Sequence, residues 1–267
     1  MDRKPVVAGR FYPETKQAWE AEVRGYLRAA ARYPKARLAM VPHAGYMYSG
    51  AIAGKTLAGL HVTQSVILLG PNHTGQGERL ALWPSGRWLL PDAHLDVDEQ
   101  LAQSILEAVP AIRPDRQAHL QEHSLEVILP FLWAMQPQTR IVPLAVAEPH
   151  LDVLLQTARG LVDVLKKRPE PVLIIVSSDM SHFLSASQAK DLDSQALQAV
   201  LELDPERLYA TVREMRISMC GMLPMTLGLA VALGLGASTA HLIAYGSSGD
   251  VTGEFSQVVG YAGVVVG

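Results

Sequence analysis

Three segments decide how this chain folds: LAMVPHAGYMYSG at Leu38–Gly50, VILLGPNHTG at Val66–Gly75 and VLIIVSSDMSH at Val172–His182. Each opens with a short aliphatic run that no polar residue interrupts. Such runs read as strands buried on both faces, the pattern of a parallel sheet covered by helices. Each segment then turns polar where the chain should leave the sheet. The first delivers His43, the second Asn72 and His73, the third Ser177, Ser178, Asp179 and His182. Pro42 and Pro71 bias the preceding residue toward extended backbone and lack an N–H, so each is expected to close its strand. Gly45, Gly70 and Gly75 are expected to permit the turns that fold the histidines over the sheet edge. In open α/β sheets, ligands bind in the crevice outside the carboxyl ends of the strands. Three separate segments therefore bring ligand-type side chains to the edge where this architecture places a site. For either histidine the alternative is a hydrogen-bonded residue at the start of a loop.

Outward from these segments, the chain alternates short apolar runs with longer stretches of helical period. Further strands are expected at Leu80–Trp83, Ile141–Leu144, His241–Tyr245 and Tyr261–Val266. Helices are expected at Lys16–Tyr33, Asp98–Ala108, Ser124–Met135, Leu151–Lys167, Ala186–Glu202, Pro205–Met215 and Gly221–Leu233. Acidic residues at Asp98 and Glu99 suit a helix start, and Asp204 followed by Pro205 is a cap-then-proline start. No repeat, low-complexity tract or long linker divides the chain. The expectation is one α/β domain over 1–267, with a strand order that the pattern does not reveal.

Composition removes several classes of function. The chain has 267 residues, 49% hydrophobic and 18% charged, with a net charge of -3. It therefore carries no basic field to hold a nucleic-acid backbone. The one cysteine cannot form an intramolecular disulfide, and no apolar leader opens the sequence, so a reducing, cytoplasmic setting is expected. The uncharged stretch Ile217–Ile243 contains Pro224 and His241 and reads as a buried helix followed by a strand, not as a membrane span.

Three further places carry chemistry. Asp179 and His182 would share a face if a helical turn began at SSDMSH, and the carboxylate would then orient the imidazole for proton transfer; alternatively Asp179 is an N-cap. In QEHSLEVILPFL, Ser124 could cap a helix and turn Glu122 and His123 toward a pocket, although order and spacing differ from the zinc-protease motif. Cys220 precedes an apolar helix, where a thiolate would be stabilised and able to ligate a metal. A lone buried cysteine is more often an inert small hydrophobe, and spacing alone does not connect Cys220 to His43 and His73. There is no nucleophile elbow, phosphate-binding loop or dinucleotide fingerprint.

Taken in order, VVAGRFYP at Val6–Pro13, PHAGYMYSG at Pro42–Gly50, GPNH at Gly70–His73, EHSLEVILPFL at Glu122–Leu132, SSDMSH at Ser177–His182 and MCG at Met219–Gly221 resemble the motifs of the Memo family. Its prokaryotic members are called AmmeMemoRadiSam system protein B. The resemblance spans nearly the whole chain. It implies a central mixed sheet flanked by helices, similar to the catalytic subunit of class III extradiol ring-cleaving dioxygenases. It also implies that His43 and His73 are metal ligands and that Cys220 stands where those dioxygenases supply a carboxylate. His182 would be the acid–base histidine with Asp179 beside it, and His123 and Glu122 would line the pocket.

A two-histidine, one-carboxylate site suits Fe(II). Exchanging the carboxylate for a thiolate softens the site and moves its preference toward copper(I) or zinc, with iron still accommodated. The leading expectation is a metal-dependent redox or dioxygenase-like enzyme acting on a small molecule, with iron on His43, His73 and Cys220 and with His182, Asp179 and His123 as catalytic groups. The alternatives are a metal- or ligand-binding module that works beside AMMECR-type and radical SAM proteins, and a zinc hydrolase with metal-bound water as nucleophile.

Overall fold

The aliphatic runs are buried along their full length and become neighbours in one sheet. The computed structural model describes residues 1–28 and 31–267. Among these the strands are β1 (Leu38–Val41), β2 (Ser65–Pro71), β3 (Leu80–Leu82), β4 (Arg87–Leu90), β5 (Ala93–Asp96), β6 (Arg113–Pro114), β7 (Arg140–Val146), β8 (Leu173–Ser177), β9 (His182–Leu184), β10 (Ala240–Ser247) and β11 (Val258–Val266). The helices are α1 (Lys16–Tyr26), α2 (Tyr46–Leu57), α3 (Glu99–Ala108), α4 (Leu129–Met135), α5 (Leu151–Lys166), α6 (Ala186–Leu201), α7 (Pro205–Glu214), α8 (Met222–Gly234) and the single turn α9 (Gly249–Thr252).

The main sheet runs β10-β11-β1-β8-β2-β7-β3-β6, with β9 paired to β11. Its middle, β1-β8-β2-β7, is parallel, whereas β11 and β3 join it antiparallel on either side. This is the expected mixed α/β sheet. Helix α8 packs on β1, β2, β7 and β8 with α5 against it, and α2 packs on β1, β10 and β11 with α1 against it. Because β1, β8 and β2 are parallel neighbours, their carboxyl ends lie side by side, and the polar ends of the three opening segments meet.

The structure corrects several expectations. The first helix stops at Tyr26 instead of continuing to Tyr33, whose amide donates to the Gly59 carbonyl; Ala29 and Ala30 of that expected helix lie outside the described residues. The expected helix Ser124–Met135 divides into a 3-10 turn at Glu126–Ile128 and α4, with Pro130 in the first turn of α4. No helical turn forms at Asp179–His182, because His182 starts β9 and pairs with Val259. Helix α2 and the β4–β5 hairpin were not expected. Helix α2 has weak propensity because Gly50 and Gly54 lie inside it. Those glycines serve packing: a Cβ at either would come within 2.6 Å of Tyr26 on α1. Gly70 is likewise not a turn residue, since a Cβ there would meet Leu125 at 2.6 Å. No described helix is long and apolar enough to cross a membrane, and Ile217–Ile243 holds α8 and the start of β10.

Candidate metal centre

His43 follows Pro42 out of β1 and is buried. Its backbone N–H donates to Asp179 Oδ1 at 2.8 Å, and its ring Nδ1 lies 2.6 Å from Ser177 Oγ at the end of β8. The other ring nitrogen, Nε2, lies 3.4 Å from Cys220 Sγ. His73, two residues beyond β2, has its Nδ1 2.9 Å from the buried carboxylate of Glu122. His123 stacks on His73 with centroids 5.0 Å apart and meets His43 edge-on at 5.5 Å. A ligand nitrogen from each of His43, His73 and His123 can be chosen so that all lie within 4.8 Å of one another. The expected pair of histidines is thus brought together, and the third imidazole beside them is His123, expected as a catalytic group lining the pocket and not as a ligand.

Cys220 reaches the cluster from the loop before α8. Gly221 allows this approach: a Cβ there would fall 2.2 Å from Ser178 Cβ, and its N–H donates to Ser178 Oγ at 3.0 Å. The thiol sulfur accepts the Asp179 N–H at 3.2 Å. Of the two readings of Cys220, the buried thiol is the one its surroundings favour: burial first, and then the Asp179 charge, push the thiol pKa well above its ordinary value. Cys220 is therefore held as a thiol, and any cation ligated there would have to displace its proton.

Burial also holds His43 neutral, reinforced by the neighbouring His123 and His73, and burial lowers the His123 pKa. For His73 burial works the same way, but the Glu122 hydrogen bond and charge outweigh it and raise the pKa. Glu122 is correspondingly held at about 2: burial opposes its charge, and the His73 ring with the backbone N–H groups of Ser124 and His73 overcomes that. A carboxylate hydrogen-bonded to one ring nitrogen of a histidine whose other nitrogen is left free is a frequent arrangement at metal sites. Imidazoles plus a sulfur suit a transition metal far better than calcium or magnesium.

Among the described residues no hydrogen bond or ion pair joins His182 to Asp179, although the His182 ring lies near enough for its charge to act on the Asp179 carboxylate. Asp179 faces His43, its second oxygen 3.9 Å from His43 Nε2, and burial raises its pKa. His182 is half-buried and is held by Ser218, which accepts the His182 N–H through Oγ at 2.8 Å and faces ring Nδ1 through its carbonyl at 3.0 Å. Sequence reading missed Ser218, because serine is common in loops and nothing in its spacing marks a contact. It also left VVAGRFYP without a structural role. There Phe11 meets the His123 ring edge-on at 4.9 Å, and Glu126 accepts the Val6 and Val7 N–H groups and the Tyr12 hydroxyl.

The Memo-like protein family model matches residues 3–265. A MEMO1 family protein of Aquifex aeolicus is 39% identical over 98% of both chains, and one of Archaeoglobus fulgidus is 36% identical, also over 98% of both. Among solved structures, an uncharacterized protein of Escherichia coli K12 superposes with a TM-score of 0.58 at 15% identity, over 87% of this chain and 100% of that one, a likeness of fold. Matched from end to end by the family model and by relatives of its own length, this chain belongs to the Memo family.

Proposed function

We propose that this chain is a metal-dependent redox protein, dioxygenase-like in its chemistry, with one transition metal on His43, His73 and Cys220. The observation that carries this reading is the approach of His43 Nε2 to Cys220 Sγ at 3.4 Å, inside the cluster that also contains His73 and His123. Iron is the first choice of metal, with copper or zinc as the alternatives that a thiolate favours. When bound, ferrous iron supplies one-electron chemistry and open positions for dioxygen and a small organic molecule. The chain's own residues have distinct tasks. Glu122 orients His73, while His123 and Phe11 wall the pocket and limit water. His182 exchanges protons with bound substrate at Nε2, the nitrogen that Ser218 leaves free, and the Asp179 carboxylate serves as a buried proton acceptor.

A second reading is favoured by the three-imidazole cluster itself. His43, His73 and His123 could hold zinc without sulfur, as in three-histidine catalytic sites. Metal analysis of protein purified anaerobically, without chelators or nickel resin, separates the two. We expect about one metal per chain, lost in His43→Ala and His73→Ala and strongly reduced in Cys220→Ser, with His123→Ala largely loaded. Full occupancy in Cys220→Ser together with loss in His123→Ala would overturn the thiolate site in favour of the second reading. For the redox assignment, Fe(II)-dependent oxygen uptake with a catechol probe is expected to fall at least tenfold in His182→Ala.

A further inference from the structure

Ser177, the last residue of β8, is fully buried and touches His43 on one side and the Glu122–Ser124 segment on the other. Its Oγ lies 2.6 Å from His43 Nδ1 and 2.7 Å from the carbonyl oxygen of Ser124. A carbonyl only accepts, and a hydroxyl has one proton. That proton goes to Ser124, so toward His43 the Ser177 oxygen acts as acceptor and Nδ1 carries the ring hydrogen. Nε2 is left with its lone pair, facing Cys220. The thiol of Cys220 can donate to it, which agrees with the same tautomer.

A second chain of bonds ends on the same residue. Glu122 Oε1 accepts the Ser124 N–H at 2.9 Å and faces His73 Nδ1 at 2.9 Å. An ionised carboxylate only accepts, so His73 also has its hydrogen on Nδ1. Ser124 itself is immobilised: its Oγ donates to the Pro71 carbonyl at 3.2 Å, and it packs where a Cβ on Gly70 would lie 2.9 Å from that Oγ. The backbone of Ser124 thus offers its carbonyl to one histidine's support and its N–H to the other's.

We propose that Ser177 is a positioning residue that fixes His43 in the Nδ1–H form, and that the Glu122–Ser124 peptide thereby sets the metal-facing nitrogen of both His43 and His73 before metal arrives. This rests on the reading of those histidines as ligands, but its first test does not need metal. Long-range proton–nitrogen NMR of metal-free, nitrogen-15-labelled protein reports each ring's tautomer. We expect Nδ1–H in wild type for His43 and, at a pH above the His73 titration, for His73. In Ser177→Ala, His43 should lose its single tautomer while His73 keeps its own, and Zn(II) affinity by competition titration should fall on the order of 10–100-fold. Ser177→Thr, which retains the hydroxyl, should restore both. Nε2–H on His43 in wild type, or an unchanged His43 tautomer in Ser177→Ala, would overturn the proposal, and the wild-type measurement decides even if the alanine variant fails to fold. The expected tautomers in a wild type that binds no Zn(II) would support the proton arrangement and overturn only the metal reading.

Discussion

If the cluster takes a metal, Cys220 enters with a proton to lose and His73 does so only below its raised pKa, whereas burial keeps His43 and His123 toward the neutral form. The His73 pKa is raised by Glu122 in spite of burial, and burial pushes the Cys220 thiol up. A metal that takes both as ligands competes with both protons, so affinity rises with pH. The sign is fixed by which form binds: imidazolium and thiol do not, neutral imidazole and thiolate do. Below the raised His73 pKa both protons contribute. Above it only Cys220 does, and affinity continues to rise by about tenfold per pH unit into the basic range. Zn(II) competition titrations between about pH 6 and 9 should show this continued slope in wild type and a plateau in Cys220→Ser. A wild-type plateau above the His73 titration would remove Cys220 from the ligand set. At this scale the sequence was legible where a residue type is rare. Histidine after a buried strand stands out, whereas Ser218 does not, and the partners of Ser124 and Ser177 were not legible, because they are distant in the chain.

Among the elements, the strands were the most legible, since an unbroken aliphatic run has few other uses. Helix limits were less so. Helices α6 and α7 both end in a left-handed residue that is not glycine, Leu203 with φ 59° and Arg216 with φ 54°. The following amides close back onto the helix, Asp204 N–H to the Ala199 carbonyl and Ile217 N–H to the Val212 carbonyl. Leu203 packs against the core, but Arg216 is exposed, so nothing but backbone strain is lost there on truncation. Arg216→Gly should therefore stabilise the protein by about 1 kcal/mol, read as a rise in the thermal midpoint. A fall would show that the side chain has a role that its exposure does not reveal. Helix α2 illustrates the opposite failure. Its glycines argue against a helix locally, yet they are what lets α1 approach, a reason visible only when Tyr26 is beside them.

Across the whole molecule, the amino-terminal segment is anchored beneath the pocket. Arg3 is buried, pairs with Glu126 at 2.7 Å, donates to the carbonyls of His119 and Glu122, and lies 4.4 Å from the Trp88 ring centroid. Removing one partner of such a pair leaves a buried charge, so Arg3→Met should cost about 3–5 kcal/mol in chemical denaturation. A loss below about 1 kcal/mol, as for an exposed pair, would mean that water reaches Glu126. His119, in the same knot between Trp83 and Trp88, is fully buried and its pKa is lowered to about 4, chiefly by burial. The unfolded chain takes up this proton near the ordinary histidine value and the folded chain only near 4. Its contribution is therefore present above the unfolded pKa and is lost as pH falls toward the folded one, by up to about 3 kcal/mol. Acid denaturation of His119→Gln, which can still donate to the Ala81 carbonyl, should be correspondingly less steep across that window. An identical slope in the variant would place the acid sensitivity elsewhere.

The sequence by itself determined the α/β class, the edge of the sheet where the histidine cluster gathers, and two of the histidines there. Each of these follows from local rules: buried strands are aliphatic runs, and proline and polar residues mark where they end. Tertiary structure alone decided the strand order, the arrival of His123 and Cys220 beside His43, and the turning of Asp179 toward His43. Those outcomes depend on which distant segments pack together. The parallel pairing of β1, β8 and β2 sets the histidines side by side, and the Gly221–Ser178 contact draws the Cys220 loop onto them. Spacing along one chain encodes neither contact, because both arise from shape and hydrogen bonding between elements that meet only in the fold.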